Sequence, residues 1–264
     1  MTSPTTDVCK AFVVPADGYD RLMGRYLPTL APAFADRAGI KPNMRVLDVG
    51  CGPGGLTCEL VARVGAGAVA AIDPSPPFVA ACQERNPGVD VRHGSGEQLP
   101  FDDNSFDATV SSLVVGFMSD PDAGAREMVR VTKPGGILAA CFWANTGMPL
   151  LQTFWAAAAS LDPNLSGKMQ LLGSHEGDLA ALLKGAGAAD VEQGELHASA
   201  QYDGLDDWWS PFELGVGPGG AYVQSLDQPQ RAALRAASND RLGKPAGPFT
   251  LEARAWFAKG IVPS

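Results

Sequence analysis

Apolar positions return at helical spacing near the start of the chain, at Leu22, Tyr26, Leu30 and Phe34. Pro28 and Pro32 are expected to break that run into short helices. Residues 45–49 then form a short apolar run with one acid, Asp48, inside it, which predicts a buried strand. A glycine turn and an apolar-faced helix over 56–64 follow. Residues 69–72 predict a second strand ending on Asp73, and 78–85 a helix started by Pro76 and Pro77. Short strands are predicted at 89–92 and 108–112. A helix at 123–131 is stopped by the Lys133-Pro134-Gly135-Gly136 turn, and a fifth strand runs over 137–142. Strand and helix alternate throughout, which predicts an α/β fold with a mostly parallel sheet and helices on both faces.

Beyond Trp143 the alternation loosens. Helices are expected at 148–161 and 175–185, extended segments at 189–201 and 249–257, and an aromatic, glycine-rich loop region from Trp208 to Tyr222. The first dozen residues are polar and expected to fray. Three regions result: 1–40 as an N-terminal helical segment, 41–144 as a binding core, and 145–264 as sheet completion plus an inserted cap.

A net charge of −9, with no basic run, disfavours a nucleic-acid partner, because affinity for a phosphate backbone comes largely from Lys and Arg. Cys9, Cys51, Cys58, Cys82 and Cys141 form no Cys-x-x-Cys pair and no metal-ligand spacing, so no metal is expected. Scattered thiols, no leader-like apolar stretch and no run long enough for a bilayer predict a cytoplasmic protein without a membrane partner. The oligomeric state is not encoded in any pattern found.

Gly50, Gly52 and Gly55 give G-x-G-x-x-G between a strand and a helix. Alone, that spacing suits a dinucleotide or any ligand whose anionic group meets backbone N–H groups at a helix start. Two acids shift the balance. Asp48, just before the turn, offers a carboxylate to a cationic group, and Asp73, ending the next strand, can accept from ribose hydroxyls.

Val46-Leu47-Asp48-Val49-Gly50-Cys51-Gly52-Pro53-Gly54-Gly55 resembles the first motif of the class I S-adenosylmethionine-dependent methyltransferases. Ala71-Ile72-Asp73-Pro74-Ser75 resembles their ribose-binding strand end. The segment from Glu97 to Asp107 resembles their lead into strand four, and that from Arg126 to Gly136 their helix and turn before strand five. Tyr19-Asp20, Gly24-Arg25-Tyr26, Trp209-Ser210-Pro211-Phe212 and Ala253-Arg254-Ala255-Trp256 are more loosely similar to a bacterial small-molecule subgroup. The resemblance implies a Rossmann-like, doubly wound, seven-stranded sheet. It also implies S-adenosylmethionine as cofactor, S-adenosylhomocysteine as product, and a small-molecule methyl acceptor at an O, N or C nucleophile.

The resemblance further implies roles. Asp48, Gly50, Cys51, Gly52 and Gly54 would surround the methionine end, Asp73 and Pro74 the ribose and adenine plane, and Ser95, Gly96 and Glu97 the adenine edge. Many relatives have aspartate where Ser95 stands, so that contact is expected to be lost, moved to the Gly96 backbone or made through water. Ser111 and Ser112 would face the transferred methyl group. The Asn/Asp-Pro-Pro-aromatic motif of base-methylating relatives is replaced here by Ser111-Ser112-Leu113-Val114, a second mark against nucleic acid. Tyr19 and Arg25 would close over the cofactor, with surface exposure the competing reading for Arg25.

No general base announces itself. His93 and His197 read as structural, and His175, at a predicted helix start in the cap, is the one weak candidate. Trp143, Trp208, Trp209, Phe212 and Tyr222, with Trp155, are the candidate acceptor-binding rings, core packing being the alternative for each. Two other functions stay open: a nicotinamide-dependent oxidoreductase, and a methyltransferase-fold protein that binds the cofactor without transferring methyl, such as a cyclase or regulatory binder.

Overall fold

Val46–Val49 forms strand β1 because its side chains are buried on both faces, as a central parallel strand requires. The computed structural model describes residues 16–165 and 171–264, so the expected frayed N-terminus lies outside the described residues. Strands β2 (Val69–Asp73), β3 (Asp90–His93), β4 (Phe106–Ser112) and β5 (Thr132–Trp143) pair parallel around β1. The long strands β6 (Ala189–Tyr202) and β7 (Phe249–Ile261) complete a seven-stranded sheet of order β3-β2-β1-β4-β5-β7-β6, with β7 antiparallel to both neighbours. The predicted fold class is observed.

Helices α1 (Ala16–Leu22), α2 (Leu27–Ala38), α3 (Gly55–Val64), α4 (Pro76–Arg85) and α5 (Pro121–Val131) accompany the parallel half. One apolar cluster, including Phe34, Leu60 and Phe257, fills one face of the sheet, and a second, including Phe106, Met128 and Leu183, fills the other.

Four local expectations are corrected. Pro28 starts α2, but Pro32 lies inside that helix without ending it. Leu30 and Phe34 are fully buried on its inner face. At about 1.5–3 kcal/mol each, such burial offsets an interior proline costing about 3 kcal/mol. The Lys133–Gly136 turn is a bulge within β5. The pairing register jumps from Thr132 opposite Phe106 to Ile137 opposite Ala108. The chain after β7 satisfies the displaced backbone: Gly135 N–H donates to Val262 O (2.8 Å) and Val262 N–H to Gly136 O (2.9 Å).

The predicted helix at 175–185 begins only at Asp178 (α7, Asp178–Gly185), because Asp178 Oδ2 accepts from the Gly173 and His175 amides ahead of it. That helix packs on β6 and β7 and is not part of the cap. Residues 208–222 form no loop region. They lie on α8 (Leu205–Glu213) and α9 (Gly217–Ser225), which with α6 (Pro149–Leu161) and α10 (Gln228–Arg241) make the cap. Gly219 of α9 serves close helix packing: a Cβ there would stand 2.9 Å from the Phe212 ring of α8 and 3.2 Å from the Phe154 ring of α6. Helix α10 was not foreseen. Its signal was Asp227 with Gln230, which form a reciprocal capping box.

Candidate active site

Parallel strands end with their carboxyl edges on one rim of the sheet, where open α/β folds hold ligands. A cavity of about 1100 Å³ lies on that rim. It runs from Asp48, Gly50 and Asp73 at one end to Trp155 and Tyr222 in the cap at the other.

The glycine turn is shaped by three left-handed residues. Gly50 has φ 76°, and a Cβ there would stand 2.4 Å from a Val114 methyl. Gly52 has φ 53° with nothing within 4 Å of a Cβ, so its backbone borders open cavity. Gly54 has φ 97°, caps α3, and abuts Asn86 and Cys82 rather than the cavity.

Asp48 is 1% exposed. Its Oδ2 accepts from Thr57 Oγ1 at 2.7 Å, whereas Oδ1 is buried without a partner. Burial pushes this carboxyl up to about 7; the Thr57 hydroxyl opposes the shift and the nearby Asp73 charge adds to it. An unpartnered carboxylate oxygen at a cavity wall is a receptor for a cationic donor. Asp73 accepts from Gly52 N–H at 2.9 Å on Oδ2 and from Ser75 N–H at 2.8 Å on Oδ1. Each oxygen keeps a further lone pair for a hydroxyl. Burial raises this carboxyl too, and those two amides hold the rise back.

Tyr19 of α1 packs on Phe78 with the rings tilted at 59° and their centroids 5.2 Å apart, and both line the cavity with Pro74. Burial and the Asp73 and Asp48 carboxylates raise the Tyr19 phenol, keeping it protonated. On the far side of Asp73, Ser95 donates its hydroxyl to Glu97 Oε2, and Glu97 Oε1 accepts from Ser119 N–H at 2.8 Å. Ser95, Gly96 and Glu97 therefore reach the cavity as one connected edge.

Several sequence candidates lie elsewhere. Ser112 lines the cavity, but Ser111 is fully buried behind it, because successive strand residues face opposite ways. Arg25 does not line the cavity. Its guanidinium makes two 3.0 Å bonds to Asp207, donates to Gln201 O at 2.8 Å, and lies 4.3 Å from the Tyr202 ring centroid. Of the candidate rings, Trp143, Phe212 and Tyr222 line the cavity, and Trp155 joins them. Trp208 and Trp209 are buried in the cap core, where Trp209 Nε1 donates to Glu213. On α8 the Trp209 ring lies 6.3 Å from that of Phe154 of α6, and only Phe212, one turn on, reaches the cavity. His175 is half exposed ahead of α7 and outside the lining. The sequence missed Phe117, Met118, Asn145 and Gln152, which sit in loops or at helix starts beyond the ends of β4 and β5. Position after a strand's carboxyl end was the available signal.

Residues 47–140 match the family model described as a methyltransferase domain. Demethylmenaquinone methyltransferase of Corynebacterium efficiens is 42% identical over 120 residues, covering 46% of this chain and 50% of that protein. The protein of the same name from Desulfitobacterium hafniense is 34% identical over 137 residues, covering 49% and 54%. The chain spans about half the length of the curated relatives it matches. Among solved structures, a putative methyltransferase from Bacillus halodurans superposes with TM-score 0.56 at 18% identity, covering 89% of this chain and 99% of that one. The cyclase SpnF gives TM-score 0.56 at 21% identity over 89% and 81%. These likenesses show the fold.

The sheet order, with a glycine turn between two buried acids, defines a Rossmann-like domain. Together with the match over 47–140, it makes that segment of the chain similar to the class I S-adenosylmethionine-dependent methyltransferases. The residues present fit that family's cofactor: the orphaned Asp48 Oδ1 suits its ammonium group, and the bare face of Gly52 leaves room beside it.

Proposed function

We propose that the protein transfers a methyl group from S-adenosylmethionine to an O, N or C nucleophile of a small molecule held in the cap. The observation that carries this reading is the Asp48 carboxylate, unpartnered on Oδ1 at one end of a cavity that continues into an aromatic chamber. Asp48 holds the ammonium group and Asp73 the ribose hydroxyls. The amides around Gly50 and Gly52 border the methionine end, and Ser95, Gly96 and Glu97 edge the adenine. Bound there, the cofactor supplies a sulfonium-activated methyl group with a neutral thioether as its leaving group. Tyr19 of α1 covers the cofactor end. Trp143, Phe212 and Tyr222 enclose the acceptor and exclude water, so that positioning supplies much of the rate.

The relatives named as demethylmenaquinone methyltransferases support a small-molecule acceptor, and the net charge of −9 supports one that is not nucleic acid. No described helix is long and apolar enough to cross a membrane. Free thiols at Cys51, Cys58, Cys82 and Cys141 support a cytoplasmic location.

Calorimetry with S-adenosylmethionine and with NADH tests the cofactor. Binding of NADH alone would sink the reading. Mass spectrometry of a candidate acceptor after incubation with methyl-labelled cofactor tests the transfer. A converted acceptor of unchanged mass supports the non-transferring alternative, whose fold precedent is the cyclase SpnF.

A further inference from the structure

The acceptor end of the cavity is chemically distinct from the cofactor end. The described acidic residues of the lining, Asp48, Asp73 and Glu97, all belong to the cofactor end. Toward the cap the wall is Phe117, Phe142, Trp143, Trp155, Phe212 and Tyr222, interspersed with uncharged Asn145, Thr146, Gln152 and Ser174. No lysine, arginine or histidine occurs among the described lining residues. Arg254, which touches Thr146 (Nη2 to Oγ1, 3.2 Å), is spent on Glu195 at 2.9 Å. The charge closest in effect to Tyr222 is negative, since Asp162 adds to the burial that raises its phenol.

We infer that the acceptor is an uncharged, planar, largely apolar molecule such as a hydroxyarene, seated against Trp155 and Tyr222; this rests on the methyltransferase reading above. The two rings lie 5.9 Å apart at 40°, both half-buried and both on the cavity wall. Phe154, stacked on Phe212 at 4.2 Å and meeting Trp155 edge-on at 5.1 Å, fixes Trp155 from behind. Rings held this way offer flat apolar area at little cost in side-chain entropy. An anionic group in the chamber would lose its hydration with no lysine, arginine or histidine among the described lining residues to replace it. An ammonium group would face no described acid toward the cap, and it has no nucleophilic lone pair until a proton leaves. No described side chain on this wall is an acid or base suited to take it. A hydroxyarene enters neutral; as its oxygen bonds the methyl carbon and the S–CH3 bond breaks to leave a neutral thioether, its proton is released to the solvent outside the chamber.

Three probes share one ring system and differ in charge: 1-naphthol, 1-naphthyl phosphate and 1-naphthylmethylamine. Each is titrated by calorimetry into protein saturated with S-adenosylhomocysteine. 1-Naphthol is expected to bind at least about tenfold tighter than either charged probe. Trp155→Ala and, separately, Tyr222→Ala are each expected to weaken 1-naphthol binding about tenfold while S-adenosylhomocysteine still binds, which reports that the variant has folded. Trp155→Phe keeps most of the affinity. Equal or tighter binding of a charged probe overturns the inference, as does unchanged 1-naphthol affinity in both alanine variants. Failure of the wild-type protein to bind S-adenosylhomocysteine overturns the methyltransferase reading instead.

Discussion

Asp48 and Thr57 are joined by a 2.7 Å hydrogen bond that ties the end of β1 to the first turn of α3 across the glycine turn. The bond fixes Oδ2 and leaves Oδ1 buried without a partner, the oxygen proposed to meet the cofactor's ammonium group. Asp48→Asn keeps an oxygen for Thr57 but removes the charge. S-Adenosylmethionine affinity is expected to fall about 10- to 100-fold, the scale of a charge-assisted hydrogen bond, with little loss of stability. Calorimetry and a thermal melt on the same variant check both halves.

The same carboxyl makes stability and binding depend on pH in opposite senses. Burial raises it to about 7, against about 3.9 for an exposed aspartate. Between those values the folded ligand-free protein retains a proton that the unfolded chain has released. This group's contribution to stability is therefore present below about pH 4 and lost as pH rises to about 7. A cationic group beside Oδ1 favours the ionised form, so cofactor affinity rises over the upper part of that window. Titrations near pH 6 in two buffers of different ionisation enthalpy are expected to show proton release on binding. Asp48→Asn is expected to abolish that release, and an unchanged buffer dependence in the variant would assign the proton to another group.

Gly50 and Gly52 predict opposite failures from the same substitution. Alanine at Gly50 meets both a positive φ and the Val114 methyl at 2.4 Å, so Gly50→Ala is expected to displace the chain after β4 and cost about 1–3 kcal/mol of stability. Alanine at Gly52 has the strained φ but open space around it. Gly52→Ala is expected to fold and to lose cofactor affinity, because its Cβ points into the volume the ligand needs. A melt and a binding isotherm for each variant separate the two.

Legibility in the sequence followed locality. Strand ends, the turn and both acids sit within motifs whose spacing fixes their geometry, and Asp48, Gly52 and Asp73 meet at the cavity. The burial of Trp208 and Trp209 and the ion pair that captures Arg25 depend on which distant surfaces meet, whereas α10 is marked by its own local capping box. Arg25 illustrates why: its partner Asp207 is 182 residues away, on a helix that looked like loop. Of the glycines that suggested loop at 215–220, Gly215 and Gly217 take the positive φ of the turn between α8 and α9, whereas Gly219 and Gly220 allow close contact, and composition does not separate these uses.

Arg25 is expected to act on stability. Its fork spans Asp207, and its plane rests near Tyr202, whose hydroxyl shares a 3.1 Å hydrogen bond with Tyr26 in the core. A half-buried pair of this geometry with a cation–π contact contributes about 1–2 kcal/mol. Arg25→Ala is expected to lower the melting temperature while S-adenosylhomocysteine affinity changes less than about threefold. A large affinity loss at unchanged stability would return Arg25 to the cofactor site.

Arg130 supports, at one remove, the Ser95–Glu97 edge proposed to hold the adenine. Its guanidinium donates to Leu99 O and Phe101 O at 2.9 Å each and pairs with Asp103 and Glu127 at 2.7 and 2.6 Å. Glu127 in turn accepts from Leu99 N–H at 2.8 Å. The chain just after Ser95-Gly96-Glu97 is thus bound to α5 through one side chain whose several donors lie in one plane. Lysine has the charge but lacks the fork, so it reaches at most part of this set. Arg130→Lys and Arg130→Ala are both expected to speed amide exchange over residues 95–103, leave β1 protected, and weaken adenosine binding. Full rescue by lysine would mean that charge near Glu127, rather than the two carbonyl contacts, holds the segment in place.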